Sequence, residues 1–389
     1  MLSSFMTANS ARRLLSLLLS LSLFAFVSLV TAQDSPDSSE VPVPLPPVVA
    51  RPPLYIVPFI SSTPVGYSPS KMRHAYGFDI VSGTGSGQSI AIVEAYGSST
   101  IQSDLTKFCT TFAIATTTVS VYYPQGVPAH DDTWALETSL DVEWAHAMAT
   151  GAKIMLVVAK SAVSTDLLAA VDYAASLGAK QITMSWGTPE FNGQSSYDYH
   201  FNKTGVTFLA SAGDTGAAVL WPAVSSYVVG VGGTHTVLDV NGNITSETAW
   251  SSTGGGISAY NAKPTFQNGW QSATKRTTPD LAYDADPNTG VAVYISNYAG
   301  QTGWLSCGGT SAGPPQWAAL FAIANSLRVS SINGANTALY NAGNSNYTGN
   351  YRDITSGGNG KYSATAKYDY VTGLGTPRVN SLVTYLKNH

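Results

Sequence analysis

The chain has 389 residues, 44% of them apolar and only 11% charged, with a formal net charge of −4. That is enough apolar side chain for a large core, and without a basic tract the chain offers no nucleic-acid surface. Gly, Ser, Thr and Tyr stand where Lys and Glu usually do, leaving few carboxylates for acid to protonate. The composition is therefore compatible with an acidic medium.

Arg12 and Arg13 precede an apolar run over 14–30, and Val30-Thr31-Ala32 puts small residues at −3 and −1 of a cut before Gln33. Residues 1–32 thus read as a secretory signal peptide and predict a secreted protein. The same run is also long enough to act as an uncleaved anchor. Residues 33–65 begin "QDSPDSSEVPVPLPPVVARPP", a Ser/Asp-then-Pro stretch that predicts an extended linker or short pro-segment without a core. Residues 66–389 read as one domain. Short apolar runs at 89–94, 119–122, 153–158, 181–185 and 206–210 predict strands. Helical periodicity falls at 99–111, 133–149, 163–178, 194–203 and 311–327. Continuous apolar strands separated by helices predict an α/β fold: a buried, mostly parallel sheet with helices on both faces. Ligands in such sheets gather at the carboxyl ends of the strands.

Within 133–149, Leu136, Leu140, Trp144 and Met148 make a buried stripe, and Glu137 and Asp141 stand four apart on an adjoining face. Exposed, such a pair is two acids in an early helical turn, favoured by the helix dipole. Buried, the two must share a proton, and the raised pKa makes an acid/base device suited to low pH. Asp214 follows the strand at 206–210 in a small-residue turn. It is either a turn former or an acid able to donate to an oxyanion. Ser311 lies in "CGGTSAGPPQWAAL", where a hydroxyl at a helix N-terminus has backbone N–H groups beside it. None of the six histidines sits in a glycine-rich segment suited to serve as its base.

Glu137-x-x-x-Asp141, "SAGD" ending in Asp214 and "GGTSA" containing Ser311 follow the order and spacing of the sedolisin family, the serine-carboxyl peptidases. "GYSPSKMRHAYGF", "MSWGTPE", "WPAVSSYVVGVGGT", "GGGIS", "TPDLAYDADPNTG" and "VTGLGTP" resemble further blocks of that family, so the likeness covers about 66–389. It implies a subtilisin-like fold and a secreted, acid-acting endopeptidase with polypeptide substrates. In it Ser311 is the nucleophile, Glu137 the base, Asp141 its tuning partner and Asp214 the oxyanion donor. Glu94 would be an outer member of the carboxyl network. Ser185, Trp186 and Gly187 would carry the backbone edge that pairs with substrate, while the Trp186 side chain taken alone reads first as core packing. The family's calcium site maps onto Asp353 and Asp369 with the Ile354, Thr365 and Lys367 carbonyls. Here "ATAKYD" replaces the usual glycine-rich turn before the second aspartate.

Members of the family carry a propeptide of domain size, for which the 33 residues between Ala32 and Gly66 are too few. Cys109 and Cys307 form one bridge or stay as two buried thiols. Sequons stand at Asn202, Asn243 and Asn346. A monomer is expected, with no nucleic-acid or, after signal cleavage, membrane partner. The competing hypothesis is a secreted binding protein that keeps the fold without catalysis.

Overall fold

A computed structural model describes residues 47–57 and 59–389; the expected signal peptide and the linker up to residue 46 lie outside the described residues. The centre is an eight-stranded sheet. Its strands are β1 Ser89–Ala95, β2 Val119–Tyr122, β3 Lys153–Ala159, β4 Gln181–Met184, β5 Thr207–Ser211, β6 Val228–Leu238, β7 Ile244–Ala249 and β8 Leu281–Asp284. The order across it is β7-β6-β5-β4-β1-β3-β2, with β8 also on β6. Every pairing is parallel except β6 with β7.

The expected strands all form within a residue of their predicted ends. In β1 every residue after Ser89 is buried, because both faces are covered. Ile90 and Ile92 point into one hydrophobic cluster, and Ala91, Val93 and Ala95 into the other. On the first side lie α1 (Ile101–Phe112), α2 (Asp132–Met148) and α4 (Gly313–Ser326); α3 (Ser164–Ser176) packs on the second. The periodicity at 194–203 corresponds to a 3₁₀ helix, Gln194–His200.

Two expectations need correcting. The sequence predicts one buried stripe on α2, but the helix is buried from Trp134 to Met148. It is wedged between the sheet and an antiparallel hairpin, β9 Val291–Tyr298 and β10 Gln301–Gly308, and Trp144 Nε1 donates to the Ala292 carbonyl at 2.9 Å. No face is left for solvent.

The second correction concerns the linker. Its described part is extended, as its prolines dictate, but it is seated on the domain. The Ala50 N–H donates to the Ala162 carbonyl at 2.8 Å, and Tyr55–Ile56 pairs antiparallel with Gly308 and Cys307 of β10. Extended chain is what an open strand edge accepts. Cys109 and Cys307 are both buried and unpaired.

Candidate active site

Helix α2 begins where the Asp131 carboxylate accepts the Trp134 N–H at 3.0 Å. One and two turns on, Glu137 and Asp141 face the carboxyl end of β1, where strand alternation turns Glu94 to the same side as Ile90 and Ile92. All three acids are fully buried, and oxygens of the three lie within 4.8 Å of one another.

Among them, Asp141 Oδ2 accepts a hydrogen bond from Ser185 Oγ at 2.7 Å. Both oxygens of Glu94, both of Glu137 and Asp141 Oδ1 are without a donor. Three buried carboxyls this close together share protons. Burial, reinforced by the neighbouring acids, pushes Glu94 and Glu137 well above the usual carboxylate range. Burial also pushes Asp141 up to about 8, against the opposing bond from Ser185.

Ser311 lies in a 3₁₀ turn, Thr310–Ala312, that leads from β10 into α4, where prolines occupy the first helical positions. Its buried hydroxyl faces Glu137 and favours that group's ionised form, yet completes no hydrogen bond. Such contacts are commonly loose before substrate binds.

The histidines are engaged elsewhere: His74 with Asp79, His130 with Asp132, His200 with Asp172 and His235 with Asp286. His146 and His389 bond the carbonyls of Ala115 and Tyr385. The titratable group that the Ser311 hydroxyl faces is the Glu137 carboxyl.

Asp214 follows β5 and is oriented by Thr310, whose N–H and hydroxyl both donate to Oδ1 at 2.8 Å. Oδ2 is buried with no partner, so the proton of the neutral acid belongs there. Burial raises Asp214 to about 8, opposed by the Thr310 bonds. Gly309, at φ +103°, lets this acid close on the serine turn: a Cβ there would lie 2.6 Å from Asp214 Oδ2 and 2.2 Å from the Pro53 carbonyl oxygen. That carbonyl accepts the Ser311 N–H at 3.3 Å. Arg51 exchanges two backbone bonds with Gly187, of 3.1 and 3.2 Å. The "SWG" edge thus pairs with extended chain, while the Trp186 side chain is core, fully buried with Nε1 on the Val93 carbonyl at 2.9 Å.

The expected calcium ligands form a separate group, and as arranged they do not fit a calcium ion. Asp369 Oδ1 accepts the N–H groups of Val371 and Thr372, and Oδ2 accepts that of Thr365. Both oxygens of Asp353 accept the Lys367 N–H, and Tyr347 donates to Oδ1. No carboxylate oxygen here is orphaned, in contrast to the acids around Ser311. Counting carboxylates and carbonyls in the sequence left out the amide donors that this turn directs at them. Lys367 keeps the left-handed conformation that glycine favours, at φ +65°. Chelation with EDTA is accordingly expected to leave the melting temperature unchanged; a fall of several degrees would restore the ion.

The sequence profile of the subtilase family matches residues 131–368, more than half of the chain. Kumamolisin of Bacillus sp. (strain MN-32) is 33% identical over 362 residues, covering 82% of this chain and 63% of that protein. The chain thus spans under two thirds of the length of this curated relative. The structure of Pseudomonas sedolisin, a serine-carboxyl proteinase complexed with pseudo-iodotyrostatin, superposes with a TM-score of 0.74 at 27% identity. That match covers 84% of this chain and 99% of the other. Sphericase, at 19% identity and a TM-score of 0.53 over 82% of this chain and 99% of its own, shares the fold. The fold is that of the subtilases. Within them, this chain belongs to the sedolisin family.

Sequence reasoning did not single out Thr310, which orients Asp214, or Gly309, which admits it. It also missed residues 50–53, whose Pro-Pro pair carried only the signal of an extended linker.

Proposed function

We propose that the chain is a secreted serine-type endopeptidase that hydrolyses polypeptides through Ser311, Glu137, Asp141 and Asp214. The observation that carries this reading is the Pro53 carbonyl, a peptide carbonyl on the Ser311 N–H beside the unpartnered Oδ2 of Asp214. Ser311 Oγ adds to the substrate carbonyl carbon and passes its proton to Glu137. Asp141, held by Ser185, and Glu94 share protons with Glu137 and so keep its charge tolerable in a buried site. The negative oxygen receives the Ser311 N–H and the proton-bearing Oδ2 of Asp214. As the C–N bond breaks, Glu137 returns the proton to the departing amine. Water then repeats the addition on the acyl-serine and releases the acid.

Donation by Asp214 requires its proton, so the chain is read as acid-acting, and whatever activity remains as pH rises fades as it passes about 8. Secretion rests on the signal peptide read in residues 1–32; among the described residues no helix is long and apolar enough to cross a membrane. The 353–369 loop closes on its own hydrogen bonds.

Cleavage of a denatured protein at acid pH tests the reading. Wild-type chain is expected to hydrolyse it, and Ser311→Ala, with an unchanged circular dichroism spectrum, to lose all turnover. Undiminished hydrolysis by Ser311→Ala would remove the nucleophile, and no hydrolysis by either form would favour a binding protein.

A further inference from the structure

Glu143 is a buried acid to which the mechanism above gives no part. It lies on α2, six residues after Glu137 and two after Asp141, and it is fully buried. Its Oε2 accepts the Tyr294 N–H of β9 at 3.1 Å, and its Oε1 is buried without a partner. Burial pushes its pKa well above the usual carboxylate range, opposed by the Tyr294 N–H and reinforced by Asp104. At acid pH it is therefore a neutral group whose one bond goes to a backbone amide.

That bond belongs to a larger arrangement. One edge of β9 pairs with β10, from Val291 on Cys307 to Ile295 on Gly303. The other edge meets only a single bridge, between Val291 and Tyr67. An open edge inside a fold has to find other partners for its N–H and carbonyl groups. Here the Ala292 N–H donates to the Tyr67 carbonyl at 3.0 Å, and Trp144 Nε1 donates to the Ala292 carbonyl at 2.9 Å. Glu143 takes the next group, the Tyr294 N–H, and two residues further on the Ser296 hydroxyl donates to Asp104 of α1. Glu143 and Trp144 adjoin on α2, so the helix that carries Glu137 and Asp141 also closes the outer edge of the hairpin.

The inner strand of that hairpin delivers the nucleophile. β10 ends at Gly308, and Ser311 follows three residues later. The buried Cys307 thiol of β10 lies within electrostatic reach of both Glu143 and Glu137. One helix thus bears the base and grips the element from which the serine emerges.

We propose that Glu143 is a positioning residue: by holding β9 on α2 through the Tyr294 N–H, it sets the approach of Ser311 to Glu137. The proposal deepens the peptidase reading and rests on it. Because Glu143 spends its bond on the hairpin, its loss should fall on kcat and not on KM. A misplacement of about 1 Å at the reacting groups costs on the order of 10²-fold in rate. The task needs an acceptor and no charge, so an amide should replace the acid.

Glu143→Leu keeps the bulk and removes the acceptor. Assayed well below its melting temperature, it is expected to lose about 10- to 100-fold in kcat with KM within about threefold of wild type. Glu143→Gln still offers an oxygen to Tyr294 and is expected to stay within about threefold in both constants. Hydrogen exchange at the Tyr294 amide should be slow in wild type and Glu143→Gln, and about tenfold faster or more in Glu143→Leu, while β1 stays protected. Should the leucine variant not fold, Glu143→Asp, with its carboxyl one methylene further from β9, is expected to lose about tenfold in kcat. A folded Glu143→Leu with wild-type kcat overturns the proposal. So does a glutamine variant as slow as leucine, a rise in KM with kcat unchanged, or a fall in kcat without faster exchange at Tyr294. If the wild-type chain hydrolyses nothing, it is the peptidase reading that has failed, and the exchange at Tyr294 still decides whether Glu143 holds the hairpin.

Discussion

Glu137→Gln is expected to lower kcat by about 10⁴- to 10⁶-fold, the scale seen when a serine peptidase loses its base. Glutamine has the shape of glutamate but cannot take a proton from Ser311 Oγ, so the addition step loses its acceptor. The same variant is expected to melt at a higher temperature than wild type at neutral pH. Burial and the charge of Asp141 raise Glu137 well above the ordinary range, so the folded chain holds this proton more tightly than the unfolded chain does. A carboxyl of that kind contributes its full stability only below its unfolded value, and the contribution is lost as pH rises towards the folded one. For Asp141 and Asp214 the window runs from about 4 to about 8. Glutamine has no proton to lose, so the penalty at residue 137 disappears. Melting curves at acid and neutral pH, taken with single-turnover kinetics, read both effects. A variant that keeps turnover within tenfold of wild type would disprove the assignment of the base.

Asp214→Ala is expected to cost about 10² to 10³ in kcat, the usual loss on removing one oxyanion donor. Asp214→Asn should behave differently. Thr310 directs its N–H and hydroxyl at Oδ1, so the asparagine carbonyl takes that place and its NH₂ falls where Oδ2 was. An amide donates without titrating. The asparagine variant should therefore stay within about tenfold of wild type at acid pH and lose the decline near 8 that ionisation of Asp214 imposes. If asparagine is as damaging as alanine at every pH, donation is not what Asp214 supplies. The pH–rate profiles of the three forms decide it.

The class of fold was legible because strands buried on both faces read as continuous apolar runs, as in Ser89–Ala95 and Lys153–Ala159, and because helical periods separate them. The acids and the serine were singled out as well: Glu137 and Asp141 by their four-residue spacing, Asp214 and Ser311 by their small-residue turns, and Glu94 only through the family resemblance. Their burial was not. A helix exposed on one side and a helix enclosed on all sides can carry the same stripe, and it is the hairpin Val291–Gly308, joined far along the chain, that encloses this one.

Local pattern thus determined, by itself, the five strands at 89–94, 119–122, 153–158, 181–185 and 206–210 and the helices at 99–111, 133–149, 163–178 and 311–327, but not the strands from Val228 onward. Only the tertiary structure decided that Glu94, Glu137 and Asp141 share one dry space, that Thr310 orients Asp214, and that residues 48–57 lie in the cleft. The reason is physical. Local propensity acts over a few neighbours, whereas proton sharing and strand pairing depend on groups that the sheet brings together from distant parts of the chain. A Pro-rich stretch is extended whether it is free or bound, and only the N–H and carbonyl groups of the edge it meets determine which.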